Sequence, residues 1–159
     1  MNALLTGVIG VAATLLGSFS TYLFQSRTAK RAEAFALEER LRQEHLSACT
    51  AFAAALTELK RGLVTLWFYR QRGQETADYQ AARIECDRLG ASAEAARFRV
   101  QLVSGDSGLM SLADSAFTAI GTLHSASDTG ELREHENRFE AAVREFIQAA
   151  AMRLRAAAR

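Results

Sequence analysis

The sequence predicts an all-α protein in which an N-terminal transmembrane helix continues into a cytoplasmic antiparallel four-helix bundle. Three observations predict this fold. An uncharged apolar stretch lies near the N-terminus, the 159 residues include no proline to interrupt a helix, and apolar residues elsewhere recur every three or four positions. The patterns divide the chain into a transmembrane anchor at residues 1–26, a juxtamembrane helical stalk at residues 27–44 and a helical bundle domain at residues 45–159.

The anchor is predicted from residues 3–24, which carry no charged side chain. As a helix they would span about 33 Å, enough to cross a hydrocarbon core of about 30 Å. A signal peptide and a buried core helix are the alternatives. A signal peptide begins with positive charges and ends in small residues, whereas this segment begins without a charged side chain and ends in Tyr22, Leu23 and Phe24. The anchor is therefore the favoured interpretation.

The residues around the anchor predict its orientation and its contacts. Arg27, Lys30 and Arg31 follow it directly. The positive-inside rule therefore predicts a single-pass protein of the cell membrane, with the N-terminus outside and the C-terminal domain in the cytoplasm. The same three cations are candidate contacts for lipid headgroups. A second candidate site is a face of small residues where another membrane helix could pack, formed by Thr6, Gly10, Ala13, Gly17 and Thr21. Small residues are also common in membrane helices that do not associate, and both readings stay open.

Four amphipathic helices are predicted beyond the anchor. The first reaches Arg72 and ends at Gly73, and the second runs from about Glu75 to Val103. The apolar rows of these two helices are predicted to be Cys49, Phe52, Leu56, Leu59, Leu63 and Leu66, and then Tyr79, Ala82, Cys86, Leu89, Ala93, Ala96, Val100 and Val103. The rows of the third and fourth helices are Leu109, Ala113, Ala116, Ile120 and Leu123, and then Leu132, Phe139, Val143, Phe146, Ile147, Ala150 and Leu154. Such helices with short connections pack most simply as an antiparallel bundle with coiled-coil-like crossings, although a helical hairpin completed by a second chain is the alternative.

Polar residues predict the ends of these helices. Asp106 is a good N-cap for the third helix, and Asp128 with Glu131 three residues later fits a capping arrangement for the fourth. Arg153, Arg155 and Arg159 near the end of the chain could complement the helix dipole or contact anionic lipid.

A cluster of aromatic residues near the end of the first long helix is the candidate contact for a protein partner. Trp67, Phe68 and Tyr69 belong to a stretch that is apolar around the whole helix. Exposed aromatic clusters usually mark an interface. The alternative is that the segment from Ser125 to Gly130 folds over them and makes them part of the core.

No pattern in the sequence predicts catalysis. The three histidines, His45, His124 and His135, lack the Glu-x-x-His spacing of a di-iron bundle, and neither a Cys-x-x-Cys pair nor a phosphate-binding loop is present. We therefore expect no catalytic residue, no metal and no cofactor, and two reduced, buried cysteines, Cys49 and Cys86. The net charge of +1 argues against a nucleic-acid partner.

The region that follows the anchor resembles a family. Its motifs are Arg-x-x-Lys-Arg-Ala-Glu (residues 27–33) and Glu-Glu-Arg-Leu-Arg-Gln-Glu (residues 38–44), after a short Gly-rich membrane helix. In composition this first third of the chain resembles small uncharacterised single-pass membrane proteins of actinobacteria. The resemblance implies the single-pass topology and carries no activity.

Two functions from different classes fit these patterns. The preferred hypothesis is a non-enzymatic, membrane-tethered interaction or scaffold module whose partners are membrane lipid, another protein or a second copy of itself. The alternative is a membrane-active effector of the pore-forming or lysis type, of phage or plasmid origin. Small residues and hydroxyl groups of the anchor, among them Thr14, Ser18 and Ser20, could line an oligomeric pore. A single helix without any charged residue would nevertheless line a water-filled pore poorly.

Overall fold

The computed structural model of the chain describes the backbone of residues 2–73 and 76–156 and the side chains of residues 32–73 and 76–156. These residues form four α-helices and no strand: α1 (Asn2–Arg72), α2 (Ala77–Ser104), α3 (Ser107–Gly121) and α4 (Thr129–Ala156). A short 3-10 helix, Thr122–Ser125, follows α3. The all-α prediction is confirmed for this part of the chain, and the predicted helix ends lie within a few residues of those observed.

The chain divides into two units, Met1–Leu41 and Arg42–Arg159. The first unit consists of the beginning of α1, and its described apolar side chains include Phe35, Leu37 and Leu41, all exposed.

The predicted anchor at residues 1–26 lies outside the residues whose side chains are described. The same is true of Arg27, Lys30 and Arg31, and of the predicted packing face formed by Thr6, Gly10, Ala13, Gly17 and Thr21. Within the part of the chain whose side chains the structure describes, no helix has a stretch that is both long and apolar enough to span a bilayer.

The second unit is an antiparallel bundle. Phe52 of α1 meets Phe146 of α4 edge to face, with ring centroids 5.3 Å apart. Further along α1, Lys60 donates to Glu140 at 2.7 Å, so α4 runs in the opposite direction to α1. On its other side α1 packs against α2 at Gly62, where an added Cβ would come within 2.8 Å of a Leu89 methyl carbon. Helix α3 packs against both α2 and α4 and completes the four-helix arrangement.

The predicted apolar rows form the core. Buried positions come from every helix and include Phe52, Leu56, Leu59, Cys86, Leu89, Ala93, Val100, Leu109, Ala113, Ala116, Ile120, Leu123, Leu132, Phe139, Phe146 and Ala150. The prediction is wrong for Ile147, whose side chain is 48% exposed. Successive residues of a helix point about 100° apart, so Ile147 cannot share the inward direction of its neighbour Phe146.

The predicted caps are confirmed. Asp106 accepts a hydrogen bond from the backbone N–H of Leu109 at 2.8 Å, and Asp128 accepts one from Glu131 at 2.9 Å. The Glu131 carboxylate in turn accepts from the backbone N–H of Ser127 at 2.8 Å. Asp106 also binds the guanidinium of Arg153, and this ion pair ties the beginning of α3 to the end of α4. Arg153 therefore contacts a carboxylate of the bundle itself.

Candidate interaction surface

The predicted contact residue Trp67 is buried. Its side chain is 5% exposed, and its indole N–H donates to the carbonyl oxygen of Ala126 at 2.8 Å. Arg70 donates to the same carbonyl at 2.7 Å and to the carbonyl of His124 at 2.6 Å. The segment between α3 and α4 thus folds over the indole. Of the two alternatives, the structure shows the one in which this segment covers the aromatic side chain. The prediction that Trp67 is an exposed partner contact is therefore wrong.

The two aromatic residues after Trp67 differ from it. Phe68 is 50% exposed, with its ring 5.1 Å from the Trp67 ring in an edge-to-face arrangement. Tyr69 is half-buried, and the Arg72 guanidinium lies 5.9 Å from its ring centroid. A partner contact at Phe68 and Tyr69 stays a prediction.

Two of the histidines contact backbone carbonyl oxygens of the bundle. His135 Nδ1 lies 2.8 Å from the carbonyl oxygen of Thr122, and His124 Nδ1 contacts the carbonyl oxygen of Gly121. Within residues 32–73 and 76–156, no cluster of three or more His, Cys, Asp or Glu side chains could hold a metal ion.

Both cysteines, Cys49 and Cys86, are buried and carry free thiols. Burial raises the pKa of the Cys49 thiol. Burial, together with the nearby charges of Asp87 and Glu85, raises the pKa of the Cys86 thiol to about 11. Thiols of this kind pack as small apolar groups and react slowly.

Helix α2 carries a second, exposed apolar row in addition to the one that faces the core. Helix α2 carries an inner row that faces the core, of which Cys86, Leu89, Ala93 and Val100 are buried. On the opposite side it carries an outer row with the same alternating spacing of four and three residues. The outer row consists of five apolar residues, Ile84, Ala91, Ala95, Phe98 and Leu102, with Arg88 between the first two, and all six side chains are exposed.

The outer row is bulky and accessible. Ile84 is 70% exposed, Phe98 47% and Leu102 85%. At about 100° per residue its six positions fall within an arc of about 80°, so they form one continuous stripe. A continuous exposed apolar stripe with a charged border is typical of a protein–protein contact.

Charged side chains of α2 lie within and beside the outer row and are held in place by hydrogen bonds. Arg88 donates to both carboxylate oxygens of Glu85, at 2.8 and 2.6 Å, and this hydrogen bonding lowers the pKa of Glu85. On the side of α2 that faces α3, the half-buried Arg97 donates to Asp114 of α3 at 2.6 Å. Its guanidinium also lies 5.1 Å from the ring centroid of Phe98. Because Arg97 is tied to α3, it orients the Phe98 ring at the edge of the stripe.

The outer row was not predicted from the sequence, although the sequence contains its repeated spacing. Ile84, Ala91, Phe98 and Leu102 repeat with the same spacing as the inner row. A helix with two apolar faces is easily assigned only one of them, and composition does not say which face the neighbouring helices cover.

The comparisons with known proteins place this bundle in a family. Residues 46–156 match the family described as KilB plasmid transfer protein. No curated protein and no solved structure matches the chain. The matched segment covers most of the bundle, including all of α2, α3 and α4, whereas the resemblance to actinobacterial membrane proteins concerns residues before it and stays a prediction. Because the match covers more than half of its residues, the chain belongs to the KilB plasmid transfer protein family.

Proposed function

We propose that this protein is a non-enzymatic, membrane-tethered helical interaction module that acts in plasmid transfer. The observation that carries the proposal is the outer row of α2, a bulky apolar stripe that the chain's own helices leave exposed. Plasmid transfer comes from the family description. An interaction module needs a folded body and a contact surface. In this proposal the bundle is the folded body and the outer row is the contact surface.

The energetics of the outer row support a contact surface. Burial of one Leu or Phe side chain contributes about 1.5–3 kcal/mol relative to leaving it in water. Ile84, Phe98 and Leu102 would together provide the apolar part of an interface, and the exposed Arg88 would provide a charged group within it. These residues lie on one helix and are already exposed, so the surface is in place before a partner binds.

The direct test is a transfer assay with an outer-row variant and a matched control. Leu102→Asp places a carboxylate in the stripe, where it would be buried by a partner. Met152→Asp makes the same kind of change on α4, at a side chain that is 64% exposed and lies outside the stripe. We expect Leu102→Asp to reduce the transfer frequency of the plasmid at least about tenfold, since a charge in an interface costs several kcal/mol. Met152→Asp is expected to leave the frequency unchanged. Equal transfer with both variants, at equal protein levels, would remove the outer row from the proposal.

The membrane tether is the second part of the proposal, and it rests on the sequence of residues 3–24. Their length and lack of charge suit a bilayer, and Arg27, Lys30 and Arg31 would hold the bundle on the cytoplasmic side. The same three cations would contact anionic headgroups, and the face around Gly10 and Gly17 would pack against another membrane helix.

The tether is tested by extraction and by orientation. We expect the protein to stay in the membrane pellet after alkaline carbonate, and Gly10→Arg with Gly17→Arg to release it. A C-terminal reporter that fluoresces only in the cytoplasm should be bright. Extraction by carbonate would exclude the tether, and a dark reporter on a membrane-bound protein would reverse the orientation. Growth arrest with dye leakage on expression would instead favour the pore-forming or lysis-type effector.

A further inference from the structure

We propose that the outer row of α2 binds the outer row of a second copy of this chain, with the two α2 helices antiparallel. This inference rests on the proposed function, because it names the partner of the same surface. Its basis is that the row is nearly the same when read in either direction.

The self-complementarity follows from the positions of the six residues. From either end the row has a large aliphatic side chain, then Arg88 or Phe98, then an alanine. A two-fold axis that passes between Ala91 and Ala95 would place Ile84 of one copy against Leu102 of the second copy. A two-fold interface must be complementary to itself in this way. An unrelated partner would place no such requirement on the row.

Size complementarity is the first physical reason for the pairing. At the centre, Ala91 meets Ala95 of the second copy, so the two helices can approach closely. At both ends, Ile84 meets Leu102 of the second copy, and these are the two most exposed of the large apolar side chains of the row, at 70% and 85%. The pairing thus buries the bulky apolar side chains of the row, Ile84, Phe98 and Leu102.

Charge complementarity is the second reason, and it selects the antiparallel direction. Between centre and end, Arg88 meets the Phe98 ring of the second copy, where a guanidinium can stack on the aromatic face. Glu85 and Arg99 lie on the same border of the row, so Glu85 of one copy approaches Arg99 of the second. A parallel pair would instead place Arg88 against Arg88 of the second copy, and two like charges within an interface are costly.

Cysteine cross-linking of the full chain in mild detergent tests the pairing and its direction. Ile84→Cys and Leu102→Cys would be made separately in the full chain, with tags of different size. The two variants would then be purified separately, mixed in mild detergent and treated with a mild oxidant, and each variant would be treated alone in the same way. The unsubstituted chain is the background control, because its own Cys49 and Cys86 are buried.

The antiparallel pair predicts a disulfide only when the two variants are present together. A two-fold pair places position 84 beside position 102 of the second copy, whereas two copies of position 84 lie far apart. Cross-linking of each variant with itself and not with the other would overturn the antiparallel pairing. The absence of any cross-linked dimer would overturn the pairing altogether.

The failure of the pairing can be told apart from the failure of the proposed function. If no cross-link forms but Leu102→Asp still abolishes transfer, the surface binds a different partner and the second copy is excluded. If the mixed cross-link forms and Leu102→Asp leaves transfer unchanged, the chain pairs with itself and the proposed function is wrong.

The Arg88→Glu variant gives an independent test of the pairing. It removes the contact with Phe98 of the second copy, and we expect it to weaken the mixed cross-link at least about fivefold.

Discussion

Helix α2 presents two apolar rows with the same spacing, yet the molecule treats them in opposite ways. The inner row is packed against α1 and α3, and Ala93 and Val100 in it are fully buried. The outer row contains the larger residues Ile84, Phe98 and Leu102 and stays exposed. The difference shows that small residues on the inner row allow close packing within the bundle, while the bulky residues of the outer row stay in water and are available for the contact proposed above.

The largest effect on stability is expected from a substitution of the buried Trp67, compared with the same substitution of its exposed neighbour Phe68. Trp67→Ala removes a buried indole and leaves the Ala126 carbonyl with one donor fewer. We expect it to lower the free energy of unfolding by about 3–5 kcal/mol. Phe68→Ala should change it far less, because half of that side chain is already in water. Guanidinium unfolding of the full chain in mild detergent, followed by circular dichroism, measures both, and equal losses would contradict the buried position of Trp67.

The next effect compares the two rows with the same substitution on the same helix. Leu89 of the inner row is 7% exposed and Leu102 of the outer row 85%. Leu89→Ala should lower the free energy of unfolding by about 2–5 kcal/mol. Leu102→Ala should change it by no more than about 0.5 kcal/mol in dilute protein. The same unfolding experiment measures this pair, and a loss at Leu102 as large as that at Leu89 would mean that the outer row belongs to the folded core.

A third effect compares thiol reactivity on the two sides of α2. The pKa of Cys86 is raised from its usual value of 9.0 to about 11. Its thiolate population at neutral pH is therefore about a hundredfold lower than that of an ordinary cysteine. We expect iodoacetamide to modify Cys86 at least that much more slowly than the exposed thiol of an Ile84→Cys variant. Rapid modification of Cys86 in the folded chain would show that the inner row opens.

The smallest effect is the dependence of stability on acid pH, to which ion pairs away from both rows contribute. Hydrogen bonds from Arg153 and from the Leu109 N–H lower the pKa of Asp106, and hydrogen bonding to Lys60 lowers that of Glu140. Carboxylates with a lowered pKa stabilise the fold above their usual values of 3.8 and 4.5, and lose that contribution as pH falls through the folded values. The thermal midpoint should therefore fall between about pH 5 and pH 2, and less steeply in Asp106→Asn. A midpoint independent of acid pH would contradict these pairs.

The sequence predicts the inward face of each helix because a bundle core imposes a repeat of three and four residues. Asp106, Asp128 and Gly73 could be placed for a local reason, since caps and helix ends depend on residues close in sequence. These features required no knowledge of how the helices are arranged.

The features that the sequence left open or did not predict depend on distant parts of the chain. The sequence left open whether the segment from Ser125 to Gly130 covers Trp67, because the covering group is the backbone carbonyl of Ala126, 59 positions away, and a backbone group leaves no side-chain pattern to recognise. The outer row of α2 does leave a pattern, but its exposure depends on which side α1 and α3 occupy. Ile147 lies at the edge of the apolar face of α4, where a small rotation of the helix decides between burial and water.

The most direct test of the outer row as a contact between copies is the dissociation constant of the full chain in a density-matched detergent, measured by sedimentation equilibrium. The unsubstituted chain and the Met152→Asp control should form dimers with the same dissociation constant. Leu102→Asp should raise that constant at least about tenfold, because its carboxylate would face Ile84 of the second copy. The same dissociation constant for all three proteins would contradict the role of the outer row.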